Sequence, residues 1–302
     1  MRLITILGPT ATGKTKLAAN LAMRVNGEII SADSRQVFRK MNIGTGKDYE
    51  DYIVEGIQVQ YHLVDIANPG EEFSVFNFQK KFLSAFNTII SKNKTPILCG
   101  GTGLYLESVL KGYNLPEVPE NINLREELND KSESELIKIL SQLKSLHNTT
   151  DTVNKERLIR AIEIEHFYIK NQSKKIHFPE FESFVFGIKY DREIVTQKIT
   201  SRLKERLKNG MIEEVKSLID EGVPPNKLKS YGLEYKYITQ FLEKEIDHNE
   251  MFRLLNIAIH QFSKRQMTWF RKMEKNGIKI NWIDGNLPLE EKIQKIVKLL
   301  DC

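Results

Sequence analysis

Cysteine is nearly absent: the 302 residues hold two, Cys99 and Cys302, far apart and in no CxxC or Cys/His spacing. That excludes a disulfide-stapled scaffold and a structural zinc site, and it fits a reducing compartment. Long hydrophobic runs are missing too. No apolar stretch approaches the roughly 18–20 residues of a membrane span, so no membrane partner is expected. The amino terminus, Met1-Arg2-Leu3-Ile4-Thr5-Ile6-Leu7, lacks the charged, apolar and cleavage regions of a signal peptide, and a cytoplasmic location is expected. There is no internal repeat and no low-complexity segment. Charge is not one-sided: 45 Lys and Arg stand against 40 Asp and Glu, a formal net charge of +5. This mild excess permits an anionic partner such as RNA or a diphosphate without demanding one. The length suffices for one full core with room for an inserted module.

What is present reads first as alternation. Apolar runs at Leu3–Leu7, Glu28–Ser31, Gln58–Leu63 and Thr95–Cys99 predict strands, and Lys14–Val25, Phe73–Ser91 and Leu104–Leu110 have helical spacing. Strands alternating with helices predict an α/β fold: a P-loop NTPase-like core with a parallel sheet flanked by helices and ligands at the carboxyl ends of the strands. Leu115-Pro116-Glu117-Val118-Pro119 marks a boundary, after which the chain is polar and helical to about Lys170. Phe184–Lys189 reads as a returning strand. Helices follow at Ile194–Leu207, Ile212–Glu221, Leu233–Leu242 and Glu250–Lys275. The expected organisation is a catalytic core over 1–115 and 186–302, with a mostly helical insertion over 116–185.

The first chemical signal is Gly8-Pro9-Thr10-Ala11-Thr12-Gly13-Lys14-Thr15, a GxxxxGK[ST] run that follows an apolar strand and opens a helix. Glycines let backbone N–H groups converge on phosphate oxygens at the positive helix end. Lys14 adds a point charge, and the Thr15 hydroxyl is a candidate Mg²⁺ ligand. Taken alone the motif says only "phosphate chain", and a nucleoside triphosphate would be the first occupant to consider. Asp33 ends the second strand, where a carboxylate can serve as general base, as a magnesium partner or as a plain turn-former. Gly100-Gly101-Thr102-Gly103-Leu104-Tyr105 is a second glycine turn at a strand-to-helix junction, with the Thr102 hydroxyl directed at the same crevice.

Gly8–Thr15, Ser31–Gln36, Ile43-Gly44-Thr45-Gly46-Lys47, His62–Ile66, Gly100–Tyr105, Arg157–Glu163 and Lys264–Arg271 occur in an order that resembles the tRNA dimethylallyltransferases, and the likeness spans nearly the whole chain. The resemblance implies prenyl transfer from dimethylallyl diphosphate to N6 of the adenosine immediately 3′ of the anticodon. It assigns Asp33 as base, Thr102 as a positioner of the amine and the reacting centre, and Lys14, Thr15, Arg202 and Mg²⁺ to the leaving diphosphate. It also implies tRNA contacts at Asp33, Ser34, Arg35 and Gln36; at Glu156, Arg157, Leu158, Ile159 and Arg160; at Lys229, Ser230, Tyr231, Gly232, Leu233 and Glu234; and at Lys264, Arg265 and Arg271.

Two blocks depart from the family pattern. Gly46 stands before Lys47 where Ala is frequent, and Ser230–Tyr235 keeps a glycine-centred turn without the usual Gly-Tyr pair. On the last long helix, Phe262, Trp269, Phe270 and Met273 read as a core stripe, and Lys264, Thr268, Arg271 and Lys275 as a basic one. Arg157 and Arg160, three apart on a predicted helix, share a face. The partners expected are the tRNA anticodon stem-loop and dimethylallyl diphosphate, acting on a monomer. Two other readings share the P-loop: an enzyme that prenylates free adenine nucleotide, and a small-molecule P-loop kinase or nucleotide-binding module.

Overall fold

The computed structural model describes residues 1–115, 117–144, 154–171 and 178–300. Cys302 and positions 145–153 of the expected helical stretch lie outside them. The chain divides into two compact units, Met1–Tyr113 with Pro179–Cys302, and Asn114–Phe178.

The larger unit is built on a six-stranded sheet of order β5-β2-β6-β1-β7-β8, with β1 Arg2–Leu7, β2 Gly27–Ser31, β5 Tyr61–His62, β6 Thr95–Gly100, β7 Glu182–Lys189 and β8 Ile280–Asp284. Every pairing in it is parallel. Leu3–Leu7 are buried without interruption, as expected for a central parallel strand covered on both faces. Helix α1 (Lys14–Arg24) packs on one face through Leu17, Ala18, Leu21 and Ala22. Helices α2 (Val75–Ser91) and α3 (Gly103–Leu110) follow β5 and β6. The start of α2 is fixed by a capping box between Ser74 and Asn77.

The predicted strand Gln58–Leu63 is corrected. Glu55 and Gly56 both take positive φ (51° and 78°), which makes a tight hairpin turn. Ile57–Gln58 (β4) therefore pairs antiparallel with Ile53–Val54 (β3), and only Tyr61–His62 joins the main sheet. Sequence reading also passed over β8 and the helix after it, Leu289–Leu300, whose Ile293, Ile296 and Leu300 complete the core against α1. Strand β8 extends the sheet beside β7. Trp282 lies so close to Gly187 that a β-carbon there would sit 2.5 Å from the indole.

The smaller unit contains α4 (Ile122–Asn129), α5 (Glu133–Leu143) and α6 (Lys155–Asn171). They close on a core of Leu128, Leu136, Leu140, Leu158, Ile159, Ala161 and Ile162. Returning to the larger unit, α7 (Arg192–Lys208), α8 (Met211–Asp220), the short α9 (Pro225–Leu228), α10 (Leu233–Leu242) and the 28-residue α11 (His248–Lys275) follow β7. They form a second core with Val37, Phe38 and Met41. The helix after β8 is α12.

Candidate active site

The carboxyl ends of β1, β2 and β6 open on one cavity of about 250 Å³, lined by Thr10–Thr15, Asp33, Gln36, Thr45, Gly46, Asp48, Asp51, Cys99, Gly100, Lys198 and Arg202. The loop after β1 holds its shape by local means. Thr12 Oγ1 donates to the Pro9 carbonyl at 2.8 Å. Gly13 at the head of α1 takes φ 73° and Ala11 takes φ 64°, a conformation costly for a residue with a β-carbon and concentrated at functional loops. Lys14 lies beneath the loop; burial pulls its pKa down, while Cys99 and Asp33 oppose the shift. A bound anion would reverse that desolvation cost, so the loop is matched to a phosphate chain.

Asp33 follows β2 directly. Its Oδ1 accepts the backbone N–H groups of Arg35 (2.9 Å) and Gln36 (3.4 Å), so it forms an Asx turn and still lines the cavity. Asp33 is thus a turn-former and a cavity wall at once. Thr102 caps nothing on α3; its Oγ1 accepts from Ser34 N–H at 3.0 Å and so ties the β6 loop to the Asp33 turn. Gly100 is needed because a β-carbon would stand 2.2 Å from the Ala32 carbonyl.

On α7 the family resemblance implies Arg202 alone. The structure puts Lys198, Arg202 and Arg206 on one side of that helix at spacings of four. Lys198 and Arg202 line the cavity, and Arg206 stands over Gly46, where a β-carbon would meet its guanidinium at 2.6 Å. Arg202 Nη2 donates to Thr10 Oγ1. Burial first, then Arg206, lowers the Arg202 pKa to about 10, which leaves the group cationic at neutral pH. The i, i+4, i+8 spacing was the available signal.

Glu214 on α8 was also passed over. Its carboxylate accepts three successive backbone N–H groups, from Asn42 (2.8 Å), Ile43 (2.7 Å) and Gly44 (3.0 Å), and the Tyr235 hydroxyl at 2.7 Å. This fixes the loop that presents Thr45 and Gly46. Gln36 Nε2 secures the same loop at the Gly46 carbonyl (2.9 Å). Lys47 turns inward to the Phe38 carbonyl and to Asp65 Oδ1 (2.5 Å), which commits its charge to holding the loop. Cys99 borders the cavity as a buried thiol whose pKa burial pushes up to about 12.

The predicted RNA contacts separate by exposure. Lys264, Arg265, Thr268, Arg271 and Lys275 are exposed on α11. Phe262, expected in the core, is 39% exposed under the Arg265 guanidinium; the buried stripe runs instead through Ile259, Ser263, Gln266, Phe270 and Met273. Arg35 makes no side-chain hydrogen bond among the described residues; burial lowers its pKa, with Asp33, Tyr105 and Glu234 opposing. Beyond Gly232, burial pushes the Glu234 carboxyl up against the pull of Arg206 and Arg202. Lys229 is paired with Glu243 (2.7 Å) and Glu245 (2.6 Å), and Ser230 is exposed. Tyr231 is 5% exposed, and its hydroxyl accepts from Gly70 N–H and donates to the Glu71 carbonyl. Leu233 packs partly into the neighbouring helical core.

In the smaller unit Glu156 and Arg157 are exposed, whereas Arg160 bonds Glu163 and the Val118 carbonyl. Leu158 and Ile159 both sit in that unit's core.

Sheet order, glycine loop and lining together define a P-loop α/β protein whose cavity lies between the glycine loop and Asp33. The family model described as IPP transferase matches residues 36–273, and one described as Isopentenyl transferase matches residues 1–63. The chain belongs to the IPP transferase family. A tRNA dimethylallyltransferase 2 of Phocaeicola vulgatus is 55% identical over 298 residues, 99% of this chain and 97% of its own length. A tRNA dimethylallyltransferase 2 of Bacteroides fragilis matches at the same identity and coverage. Among solved structures, a tRNA isopentenylpyrophosphate transferase from Bacillus halodurans has a TM-score of 0.73 at 31% identity, covering 99% of this chain and 95% of that one. No helix among the described residues is long and apolar enough to cross a membrane.

Proposed function

We propose that the protein is a tRNA dimethylallyltransferase: it moves the dimethylallyl group of dimethylallyl diphosphate to N6 of the adenosine immediately 3′ of the anticodon. The observation that carries this reading is the placement of the Asp33 carboxylate, at the end of β2, in the same cavity as Lys14 of the P-loop and Arg202 of α7. Adenine N6 is a weak nucleophile because its lone pair is delocalised into the ring. An allylic C1 compensates by developing cationic character as its diphosphate departs.

In the step, the N6 lone pair forms a bond to C1 while the C1–O bond breaks and its electrons leave with the diphosphate. The N6 proton passes to the Asp33 carboxylate. Lys14, Arg202 and the N–H groups of the loop stabilise the charge that grows on the leaving group. Thr102 holds the Asp33 turn in place through Ser34.

A magnesium ion would be held here largely by the substrate. Among the described residues no cluster of three acidic, His or Cys groups can hold a metal, so the ion would be shared between the Thr15 hydroxyl, the diphosphate and water. When bound it would neutralise charge on the leaving diphosphate. The RNA must offer an unstacked base to the cavity, and the exposed basic residues of α11 suit its phosphate backbone.

The reading is tested by offering an adenosine-containing anticodon stem-loop, AMP and ATP with dimethylallyl diphosphate, and weighing the products. A dimethylallyl gain on the stem-loop is expected. Gain on AMP alone would make the protein a free-nucleotide prenyltransferase, and phosphoryl transfer from ATP would make it a kinase.

A further inference from the structure

Gln266 lies on the inner side of α11, 7% exposed. Its Oε1 accepts the backbone N–H of Thr10 in the P-loop at 2.8 Å, and its Nε2 donates to the Gly101 carbonyl at 2.9 Å. A primary amide carries one acceptor and donors on a single rigid group, and here each end is taken by a different loop of the site. The glycine turn is shaped around this. A β-carbon at Gly101 would stand 2.4 Å from Gln266 Nε2, and one at Gly103 would stand 2.4 Å from Trp269 Cδ1. The next atom at Gly101, the Gly8 carbonyl oxygen, would stand at 3.3 Å, a tight contact that a shift of a few tenths of an ångström relieves.

A buried amide that merely satisfies itself would explain the burial of Gln266 but not this placement. The Thr10 N–H is turned toward α11, and two glycines of the β6 turn make room for side chains of α11.

We propose that Gln266 is a positioning residue, resting on the diphosphate reading above. It sets the spacing between the P-loop, which grips the leaving group, and the Gly101–Thr102 turn, which holds the Asp33 turn through Ser34. The cradle and the base thus keep one separation when either is loaded.

The test uses the full chain, with inorganic pyrophosphate plus Mg²⁺ as one probe and an anticodon stem-loop as the other, both titrated calorimetrically. Gln266→Met fills the same volume without either hydrogen bond. It is expected to weaken pyrophosphate binding about tenfold, the weight of one lost buried hydrogen bond, to lower kcat by at least as much, and to leave stem-loop affinity within about twofold. Gly101→Ala supplies the second arm: it is expected to be damaging with Gln266 present and to cost much less in the Gln266→Ala background, where only the tight Gly8 contact remains to be relieved.

Unchanged pyrophosphate affinity in folded Gln266→Met, loss of stem-loop affinity instead, or additive effects of the two substitutions would each overturn the proposal. Failure of the prenyl-transfer reading would look different: the native protein would transfer nothing while its pyrophosphate affinity still responded to Gln266.

Discussion

The backbone N–H of Ser34 donates to Thr102 Oγ1 at 3.0 Å, joining the turn that carries Asp33 to the turn that ends β6. Thr102 thereby spends an acceptor on geometry, and the two residues expected to act in chemistry are mechanically linked. Thr102→Ser keeps the oxygen and should retain most of the transfer rate. Thr102→Ala leaves Ser34 N–H without its partner and should lower kcat about tenfold or more. Single-turnover kinetics on both variants check the order.

Asp33→Asn preserves an oxygen for the Arg35 and Gln36 N–H groups but cannot accept a proton. The expected outcome is a loss of about 10²–10⁴ in the chemical rate with stem-loop affinity nearly unchanged. Equal losses in rate and affinity would remove the base role.

Arg202 bonds Thr10 and borders the cavity, so Arg202→Ala should raise KM for the prenyl diphosphate and lower kcat, because leaving-group charge is greatest in the transition state. Steady-state kinetics with varied diphosphate and saturating RNA separate the two.

Glu214 gathers three backbone N–H groups and a tyrosine hydroxyl. Glu214→Ala strands them and should destabilise the fold by about 2–4 kcal/mol, read as a lower urea midpoint at unchanged slope.

Glu28, 1% exposed in its side chain, gives the pH prediction. Burial alone would push its carboxyl up, but hydrogen bonds from His62, Lys94 and Lys92 hold it at about 2, against an ordinary 4.5. A depressed carboxylate contributes stability that is complete above the unfolded value and is lost as pH falls through the folded one. Roughly 3 kcal/mol should therefore disappear between pH 4.5 and 2. Glu28→Gln should remove that slope in acid denaturation.

How much of this was legible in the sequence differed by residue. The P-loop was plain, because a strand, a glycine run and a helix in succession are a local pattern. Asp33 was legible as a candidate but not as an Asx turn and cavity wall at once, since that depends on where β2 ends. The Gly100–Gly103 block was legible as a glycine turn at a strand-to-helix junction; its close approaches to Ala32, Gln266 and Trp269 are revealed by no spacing rule. Leu158 and Ile159 fell inside a family block yet face a core, and Phe262 read as core yet lies at the surface, because a stripe rotated by one residue changes which face is buried. Glu214 gave no signal, three of its four partners being main-chain atoms 170–172 positions away.

The central claim is that the P-loop grips a group that leaves from carbon, so that a carbon–oxygen bond breaks and no phosphorus–oxygen bond does. Dimethylallyl diphosphate carrying oxygen-18 at the bridge between C1 and phosphorus tests it most directly with an anticodon stem-loop as acceptor. The account predicts that all of the label leaves in the released diphosphate while the stem-loop adenosine gains the prenyl group. Label retained in dimethylallyl alcohol or monophosphate, with phosphate passed to an acceptor, would contradict it.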